Sequence, residues 1–347
     1  MDEVRVGIVG MGIGRANGRG FQAADRGRVV ALCDLKEDRM EEFAEELDDD
    51  VLQFTDYAEM CRCDEVDAVF VGTPNQLHVP VALEAVRNGK HVLVTKPLSD
   101  SLDAARELVE AAEAADVVGM MSLSLRFSGG VQHLGRLAKE GEFGELYYGR
   151  ARSIRRSGIP DWSAGFVEEG GGAFRDMGVH VLDSAWWIMG RPLPVSVAGV
   201  AGAKFGPRGQ GYWDYRHPPE EFYSRFAADD YGGGLIRFEN EAGLQTESFW
   251  ASHMDQPHGL QIELFGTEAG ARLSPLTLYR TRHGAPEDVR VSVPDGPGPW
   301  QAIAEHFIAC ILDGAECQAP LRDGMLVQQM LEALLESGET GREVRLD

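Results

Sequence analysis

Four side chains of this sequence combine residue types and spacings that suit proton and hydride transfer. Asp176, His180 and Asp183 are spaced i, i+4 and i+7, so a helix would place two carboxylates and an imidazole on one face. Lys96 ends an apolar, strand-like run, which is where open α/β sheets place their chemistry. An imidazole exchanges protons near neutral pH, and an ammonium group stabilises a developing alkoxide. The set predicts an interconversion of alcohol and carbonyl groups.

The neighbours of these residues support the same interpretation. Gly170, Gly171 and Gly172 precede the acidic segment, and glycines let a backbone come close to a ligand. Pro97 restricts Lys96 to extended backbone angles, which fixes where its amine points. A lone His180 would more often be a histidine satisfied inside a helix pair, but its companions favour a catalytic role.

Three further residues are candidate substrate contacts that also have structural interpretations, and core packing is the favoured one for Trp162. Asp183 can contact substrate, or it can cap a helix or form an ion pair. Arg126 can bind a ligand at the domain junction or serve the structure. Trp162, like Trp250, can offer an apolar platform to a sugar or pack in the core. We expect specificity to come from the loops over residues 153–169 and 205–225.

The elements that position these residues fall into two regions. Apolar runs alternate with helical segments up to about residue 122, which predicts a doubly wound parallel sheet. Strand-like runs punctuated by glycine and proline occupy residues 195–293, which favours a largely antiparallel sheet. We therefore expect domains at 1–122 and 123–347, with final helices that can pack back on the first domain.

A turn after the first strand has most of a dinucleotide-binding fingerprint. Gly10 and Gly12 fit the first two positions of Gly-x-Gly-x-x-Gly and Ile13 opens the helix, but Arg15 stands at the third. Asp34 closes the second strand, where an acid accepts hydrogen bonds from a ribose and repels a 2′-phosphate. These residues predict NAD as the cofactor, with NADP as the alternative.

The composition limits the classes of binding partner and the location that we expect for this protein. A formal net charge of -23 argues against nucleic acid, because phosphates would be repelled. It suits a protein of high-salt surroundings or simply an acidic cytosolic one. No apolar run is long enough to span a membrane, and the first residues enter a strand pattern without a signal-peptide pattern. We expect a cytoplasmic protein.

The sequence predicts no metal site. The five cysteines show no Cys-x-x-Cys or finger spacing, so buried or incidental thiols are favoured over zinc ligands or disulfides. His253 and His258 are not spaced as ligands with any nearby acid.

Several motifs resemble those of the glucose–fructose oxidoreductase / inositol dehydrogenase (Gfo/Idh/MocA) family, in the same order along nearly the whole chain. They are Thr73-Pro74-Asn75-x-x-His78, Asn88 to Leu98 with its Lys96-Pro97, Gly171-Gly172-x-x-x-Asp176-x-Gly178-x-His180-x-x-Asp183, and the ending Gly341 to Leu346.

The resemblance implies a Rossmann domain followed by an α/β domain with an open-faced, mostly antiparallel sheet that joins subunits into dimers or tetramers. It implies NAD(P)-linked oxidation or reduction of a sugar, polyol or similar small molecule. Lys96 would lie near nicotinamide and substrate, Asp176 and His180 would line the substrate pocket, and His180 would be the acid/base. The cofactor contacts would be Thr73, Pro74, Asn75, His78, Thr95 and Lys96.

Two departures from the family pattern stand out. Arg15 replaces a small residue, which leaves the helix packing there open. Thr95 replaces the usual glutamate of Glu-Lys-Pro, although its hydroxyl can still form hydrogen bonds.

Alternatives to a dehydrogenase are an NAD-dependent glycoside hydrolase with transient cofactor reduction and a non-catalytic sugar sensor. The Lys96, Asp176 and His180 set argues against the sensor, because binding alone does not require acid/base groups.

Overall fold

The computed structural model describes residues 2–47, 50–255 and 259–346, so His258 lies outside the described residues. The chain divides into two compact units. The first combines Met1–Phe127 with Gly296–Gln328, and the second combines Ser128–Asp295 with Gln329–Asp347. The division differs from a single break at residue 122. Arg126, which follows residue 122, forms a buried ion pair with Asp323 inside the first unit.

The first unit contains a six-stranded sheet in the order β3-β2-β1-β4-β5-β6, with every pair parallel. Its strands are short and rich in valine and alanine, and β4 is buried at every position, as expected for strands covered on both faces. The strands are β1 (Val4–Val9), β2 (Gly27–Cys33), β3 (Leu52–Phe54), β4 (Ala68–Val71), β5 (His91–Val94) and β6 (Gly119–Met121).

Helices connect these strands. They are α1 (Ile13–Gln22), α2 (Glu37–Ala44), α3 (Tyr57–Cys61), α4 (His78–Arg87) and α5 (Leu102–Ala114). Two begin at side-chain caps: the Asp56 carboxylate accepts from the Ala58 amide ahead of α3, and the Ser101 hydroxyl accepts from the Ala104 amide ahead of α5. The predicted doubly wound parallel sheet is confirmed.

The second unit contains a nine-stranded sheet in the order β14-β13-β12-β11-β7-β10-β9-β8-β15. Only the β7–β10 pair is parallel, so the expected mostly antiparallel sheet is confirmed. The strands are β7 (Leu146–Ile154), β8 (Pro194–Gly202), β9 (Tyr231–Phe238), β10 (Gly243–Phe249), β11 (Leu260–Gly266), β12 (Ala269–Arg272), β13 (Thr277–Arg282), β14 (Ala285–Arg290) and β15 (Val344–Arg345).

The remaining helices follow the division of the chain. The second unit holds α6 (Gly129–Lys139), α7 (Val179–Ile188) and the short α8 (Glu220–Tyr223). The first unit holds α9 (Pro299–Asp313), and α10 (Leu321–Thr340) contributes residues to both. Within the part of the chain that the structure describes, no helix is both long and apolar enough to cross a membrane.

Candidate active site

In the turn between β1 and α1, Gly10 and Gly14 are closely packed, whereas Gly12 is open. Gly10 has φ +89°, and a Cβ there would lie 2.6 Å from the Gly72 carbonyl oxygen. A Cβ on Gly14 would lie 2.8 Å from the Ile8 side chain. A Cβ on Gly12, just before α1, would meet nothing within 4 Å. An open glycine at a helix N-terminus leaves room for an anionic group to approach the backbone amides.

Gly14 resolves the incomplete fingerprint. The third glycine of the motif serves close helix–strand packing, and Gly14 performs that role one position before Arg15. Arg15 instead reaches α2, where its guanidinium donates to the Arg39 carbonyl at 3.0 Å and to the Glu42 carboxylate at 2.5 Å. The sequence signal was present in the closely spaced glycines, but the motif placed it one residue later.

Asp34 is held against the same turn. Its Oδ2 accepts from the Met11 amide at 2.7 Å, and its Oδ1 accepts from the Lys36 amide at 3.0 Å. Each carboxylate oxygen can accept a further hydrogen bond. Asp34 is therefore fixed beside the open glycine with capacity left for a ribose hydroxyl.

The loop after β4 contains an unsatisfied polar atom. The Thr73 hydroxyl is buried and has no hydrogen-bond partner among the described residues. Pro74 and Asn75 follow, and Asn75 begins a short 3₁₀ turn over Asn75–Leu77. Buried hydroxyls normally find partners, so Thr73 is suited to a ligand group.

The His78 side chain does not fit its expected role as a cofactor contact. It is fully buried, with Nδ1 2.7 Å from the Pro97 carbonyl oxygen and Nε2 2.8 Å from the Thr73 carbonyl oxygen. Burial lowers the pKa of the imidazole, and the two carbonyl contacts oppose that effect. His78 thus ties the loop after β4 to the loop after β5, and both of its ring nitrogens are engaged.

Lys96 follows β5 as expected from its sequence. The side chain is half-buried, and the peptide bond to Pro97 is cis. Thr95, the departure from the family motif, is buried, and its amide donates to the Val71 carbonyl at 3.0 Å.

In the second unit, the glycines before Asp176 do not make room for a ligand. A Cβ on Gly172, where φ is +115°, would lie 1.9 Å from the Asp229 Oδ1, and one on Gly171 would lie 2.0 Å from the Phe166 carbonyl oxygen. The Asp229 Oδ2 accepts from the Phe174 amide at 3.0 Å. The expected approach to a ligand is therefore wrong at Gly171 and Gly172, because the protein's own groups fill that space.

The segment after this turn differs from the regular helix expected. Phe174–Gly178 forms a π-helix, and α7 continues from Val179. Asp176 lies in the wider turn and His180 lies in the first turn of α7, both half-buried. The Asp176 Oδ2 accepts from the Trp250 indole at 3.0 Å. Single π turns inside helices are frequent at functional sites, and this one carries the candidate acid/base pair.

A cavity of about 470 Å³ adjoins this segment within the second unit. Met177, between Asp176 and Gly178, is one of its lining residues. The others are Ser153, Arg155, Ser157, Trp213, Asp214, Tyr215, Gly259 and Leu260. The two loops expected to set specificity, residues 153–169 and 205–225, both contribute lining residues to this cavity. A cavity with apolar walls and a few convergent polar groups is typical of small-molecule sites.

Arg155 is the most notable lining residue, and motif analysis missed it. Its guanidinium lies 3.1 Å from the Met177 sulfur and 5.0 Å from the Trp213 ring centroid. Burial lowers the pKa of Arg155, and the nearby Asp176 carboxylate opposes that effect. Its place at the end of β7 is visible only after the strand's end is known.

The three weaker substrate candidates, Arg126, Asp183 and Trp162, differ in burial and in their contacts. Arg126 is fully buried and donates to the Asp323 carboxylate at 2.7 Å and to the Gln318 carbonyl, so its role is structural. Asp183 is also buried, at 1% exposure, and does not line the cavity. Trp162 is 59% exposed, and its ring meets that of Trp213 edge to face at 5.7 Å, so it does not pack in the core.

The residues of the first unit fit a dinucleotide. An open Gly12 at a helix start can receive the pyrophosphate, the fixed Asp34 carboxylate can receive a ribose, and the unpartnered Thr73 hydroxyl can receive a polar group.

Comparison with known proteins is consistent with this geometry. Residues 4–123 match the family described as "Oxidoreductase family, NAD-binding Rossmann fold", and residues 131–272 match the "GFO/IDH/MocA C-terminal domain". The chain belongs to the GFO/IDH/MocA family. The family and Rossmann fold expected from the motifs are confirmed, and the protein is an oxidoreductase of an NAD-binding class.

Individual relatives of this GFO/IDH/MocA member span almost its full length. It is 28% identical to D-glucoside 3-dehydrogenase of Escherichia coli over 99% of this chain and 97% of that protein. It is 25% identical to the NAD(+)-dependent scyllo-inositol 2-dehydrogenase of Bacillus subtilis, with the same coverage of both chains. An oxidoreductase from Agrobacterium radiobacter, solved with NAD+, L-tartaric acid and magnesium, shares the fold with a TM-score of 0.80, 20% identity and coverage of 99% and 98%.

Proposed function

We propose that this protein is an NAD-linked dehydrogenase that acts on a secondary alcohol of a sugar, polyol or related hydroxylated molecule. The observation that carries the proposal is the segment that bears Asp176 and His180, because its residue Met177 lines the 470 Å³ cavity. The names of the D-glucoside and inositol relatives support the substrate class.

His180 is the proposed acid/base. In the oxidation direction it takes the hydroxyl proton of the substrate while the hydride leaves the same carbon. Asp176, oriented by the Trp250 indole at 3.0 Å, binds a substrate hydroxyl or orients the imidazole. The Lys96 ammonium stabilises the alkoxide that develops on oxygen. Bound NAD supplies a nicotinamide C4 that accepts the hydride.

Asp34 supports NAD over NADP. Its carboxylate is fixed by the Met11 and Lys36 amides, and a fixed anion at the ribose position repels a 2′-phosphate. The other proposed cofactor contacts are Gly10, Gly12, Ile13, Thr73, Pro74, Asn75, Thr95 and Lys96. His78 acts on this site by holding two of its loops together rather than by contact.

The cavity supports a hydroxylated substrate. Ser153 and Ser157 hydroxyls and the Arg155 guanidinium provide polar contacts, and the Trp213 ring provides an apolar wall. Sugars present both kinds of surface, because axial C–H groups pack on aromatic rings while hydroxyls form hydrogen bonds.

Arg155→Gln should raise KM about tenfold, because hydrogen bonds to a charged group contribute about 1.5–3 kcal/mol. An unchanged KM would remove Arg155 from substrate binding.

The test is an activity panel of aldoses, inositols, sugar acids and glycosides with NAD and NADP, at low and high salt. We expect stoichiometric NADH formation with at least one hydroxylated compound and a preference for NAD. Glycoside cleavage without net NADH would instead identify an NAD-dependent hydrolase. Binding without any turnover across the panel would favour a sensor.

We also propose that the nine-stranded sheet joins subunits into a dimer or tetramer. One face of the sheet is buried in the second unit, with Ala151 and Ile262 on it. The opposite face carries half-buried Tyr148, Leu235 and Phe249 among polar residues, and large apolar side chains on a sheet face are typical of an interface. Light scattering should give a dimer or tetramer, and a monomer at micromolar concentration would contradict this assembly.

A further inference from the structure

A cluster of two cysteines and one histidine lies in the first unit, in a place that the proposed reaction does not use. His306 and Cys310 are four residues apart on α9, so they share one face of the helix. Cys317 comes from the segment that connects α9 to α10. One ligand atom from each residue lies within 4.8 Å of the other two.

The distance between Cys310 and His306 matches that of a tetrahedral metal site. With metal–sulfur bonds of about 2.3 Å and metal–nitrogen bonds of about 2.0 Å, a tetrahedral angle places sulfur and nitrogen about 3.5 Å apart. The Cys310 sulfur and the His306 Nε2 are 3.5 Å apart. The two atoms therefore already stand at the separation that a shared cation requires.

The tautomer of His306 also suits ligation. The Gln318 amide donates to Nε2 at 2.9 Å, so this nitrogen carries its lone pair and the ring proton lies on Nδ1. A cation at Nε2 would take the place of the Gln318 N–H group. No change of tautomer is needed.

An entry path and room for a fourth ligand are present. A cavity of about 240 Å³ is lined by Cys310 and Cys317 together with residues of α5 and β6. His306 and Cys317 are half-buried rather than sealed in the core. Water can reach the open position of a three-ligand site through this cavity.

We propose that His306, Cys310 and Cys317 bind a thiophilic divalent cation, with zinc as the metal and a water as the fourth ligand. Two thiolates and an imidazole are a donor set that zinc favours. Binding replaces the two thiol protons, which are released to solvent. The sequence expectation of no metal site relied on Cys-x-x-Cys spacing, and this cluster combines a helical i, i+4 pair with a third ligand from a loop.

The cation would secure the segment between α9 and α10. This segment packs on the parallel sheet, because the Met121 amide donates to the Ala319 carbonyl at 2.8 Å. The Gln318 carbonyl in the same segment accepts from the buried Arg126 guanidinium. Zinc would therefore stabilise the C-terminal part of the first unit.

The test uses the full-length, reduced, metal-stripped protein. Cobalt(II) titration should show one equivalent bound, with the visible bands of tetrahedral cobalt and a thiolate charge-transfer band. Cys310→Ser and Cys317→Ser should abolish the charge-transfer band or weaken it strongly. Cys63→Ser is the matched control, because Cys63 is a half-buried thiol of the same unit outside the cluster, and it should leave the spectrum unchanged.

A second measurement needs no substitution. Zinc should protect Cys310 and Cys317 of the wild-type protein from alkylation, as read by mass spectrometry, and leave Cys63 as reactive as before. Absence of both the cobalt spectrum and the zinc protection would overturn the proposal. Formation of a Cys310–Cys317 disulfide in air, even when zinc has been supplied to the reduced protein beforehand, would also overturn it.

Discussion

Two glycine-rich turns of this protein each precede a helical segment, but they differ in the space around their glycines. The turn at Gly10–Gly14 leaves Gly12 open at the start of α1, where an added Cβ meets nothing within 4 Å. The turn at Gly170–Gly172 is closed at Gly172, because an added Cβ there would lie 1.9 Å from the Asp229 carboxylate. At the second turn the chain's own Asp229 carboxylate accepts from the Phe174 amide at the start of the helical segment.

The comparison teaches that a glycine run before a helix does not by itself identify a ligand site. Asp229 accepts from the Phe174 amide and so fixes the start of the segment that carries Asp176 and His180. The first turn is the proposed cofactor contact, and the second turn holds the proposed catalytic segment in place. Four predictions test this division.

The largest expected effect concerns the segment that the closed turn supports. His180→Ala should lower kcat by about 100-fold or more, because general acid–base catalysis contributes at least that much. NAD affinity, measured by calorimetry, should stay within about twofold of wild type, since the cofactor turn lies in the other unit. An equal loss of NAD affinity would contradict the division.

Gly172→Ala should lower the free energy of unfolding by roughly 3 kcal/mol, because it combines a positive φ with a clash against the Asp229 carboxylate. Gly170→Ala is the matched control: φ there is +86° but an added Cβ meets nothing within 4 Å. It should cost only about 1 kcal/mol. Equal losses in urea unfolding would mean that the Asp229 contact does not close the turn.

Asp229 should give the stability of the protein a pH dependence. Burial raises the pKa of its carboxyl to about 6, against the opposing hydrogen bond from Phe174. The folded protein then holds this proton more tightly than the unfolded chain, whose aspartates titrate near about 4. The stability that this group contributes is present below about pH 4 and is lost as the pH rises to about 6.

The measurement is urea unfolding of wild type and Asp229→Asn across that pH range. The asparagine oxygen can still accept from Phe174, so the cap is kept while the titration is removed. Relative to the variant, wild type should lose roughly 3 kcal/mol as the pH rises. Parallel profiles would show that Asp229 does not titrate in this way.

The smallest expected effect belongs to the open turn. Gly12→Ala should weaken NAD binding about tenfold, because the new methyl group occupies space needed by the pyrophosphate. The free energy of unfolding should change by less than about 0.5 kcal/mol, since nothing in the protein contacts that methyl group. A stability loss like that of Gly172→Ala would make the two turns equivalent.

Local sequence predicts much of the first unit. The apolar strands, the glycines after β1 and the lysine after β5 are features of short segments, so periodicity and spacing are enough to place them. Gly14 is not part of the predicted fingerprint, because the motif expects its packing glycine one residue later.

Sequence predicts less of the second unit, because its site depends on contacts between distant segments. The closed turn needs Asp229, and the orientation of Asp176 needs Trp250 from another strand. Arg126 of the first unit is a similar case, since its partner Asp323 is 197 residues away. The π-helix at Phe174–Gly178 likewise follows from packing that no periodicity reveals.

The most direct test of the central claim is the fate of deuterium at the carbinol carbon of the substrate identified by the panel. After a single turnover with NAD, mass spectrometry should find the label in the reduced nicotinamide, and His180→Ala should slow its appearance by about 100-fold or more. Reduced nicotinamide without label, or product formed with the label still on its carbon, would contradict hydride transfer from that alcohol.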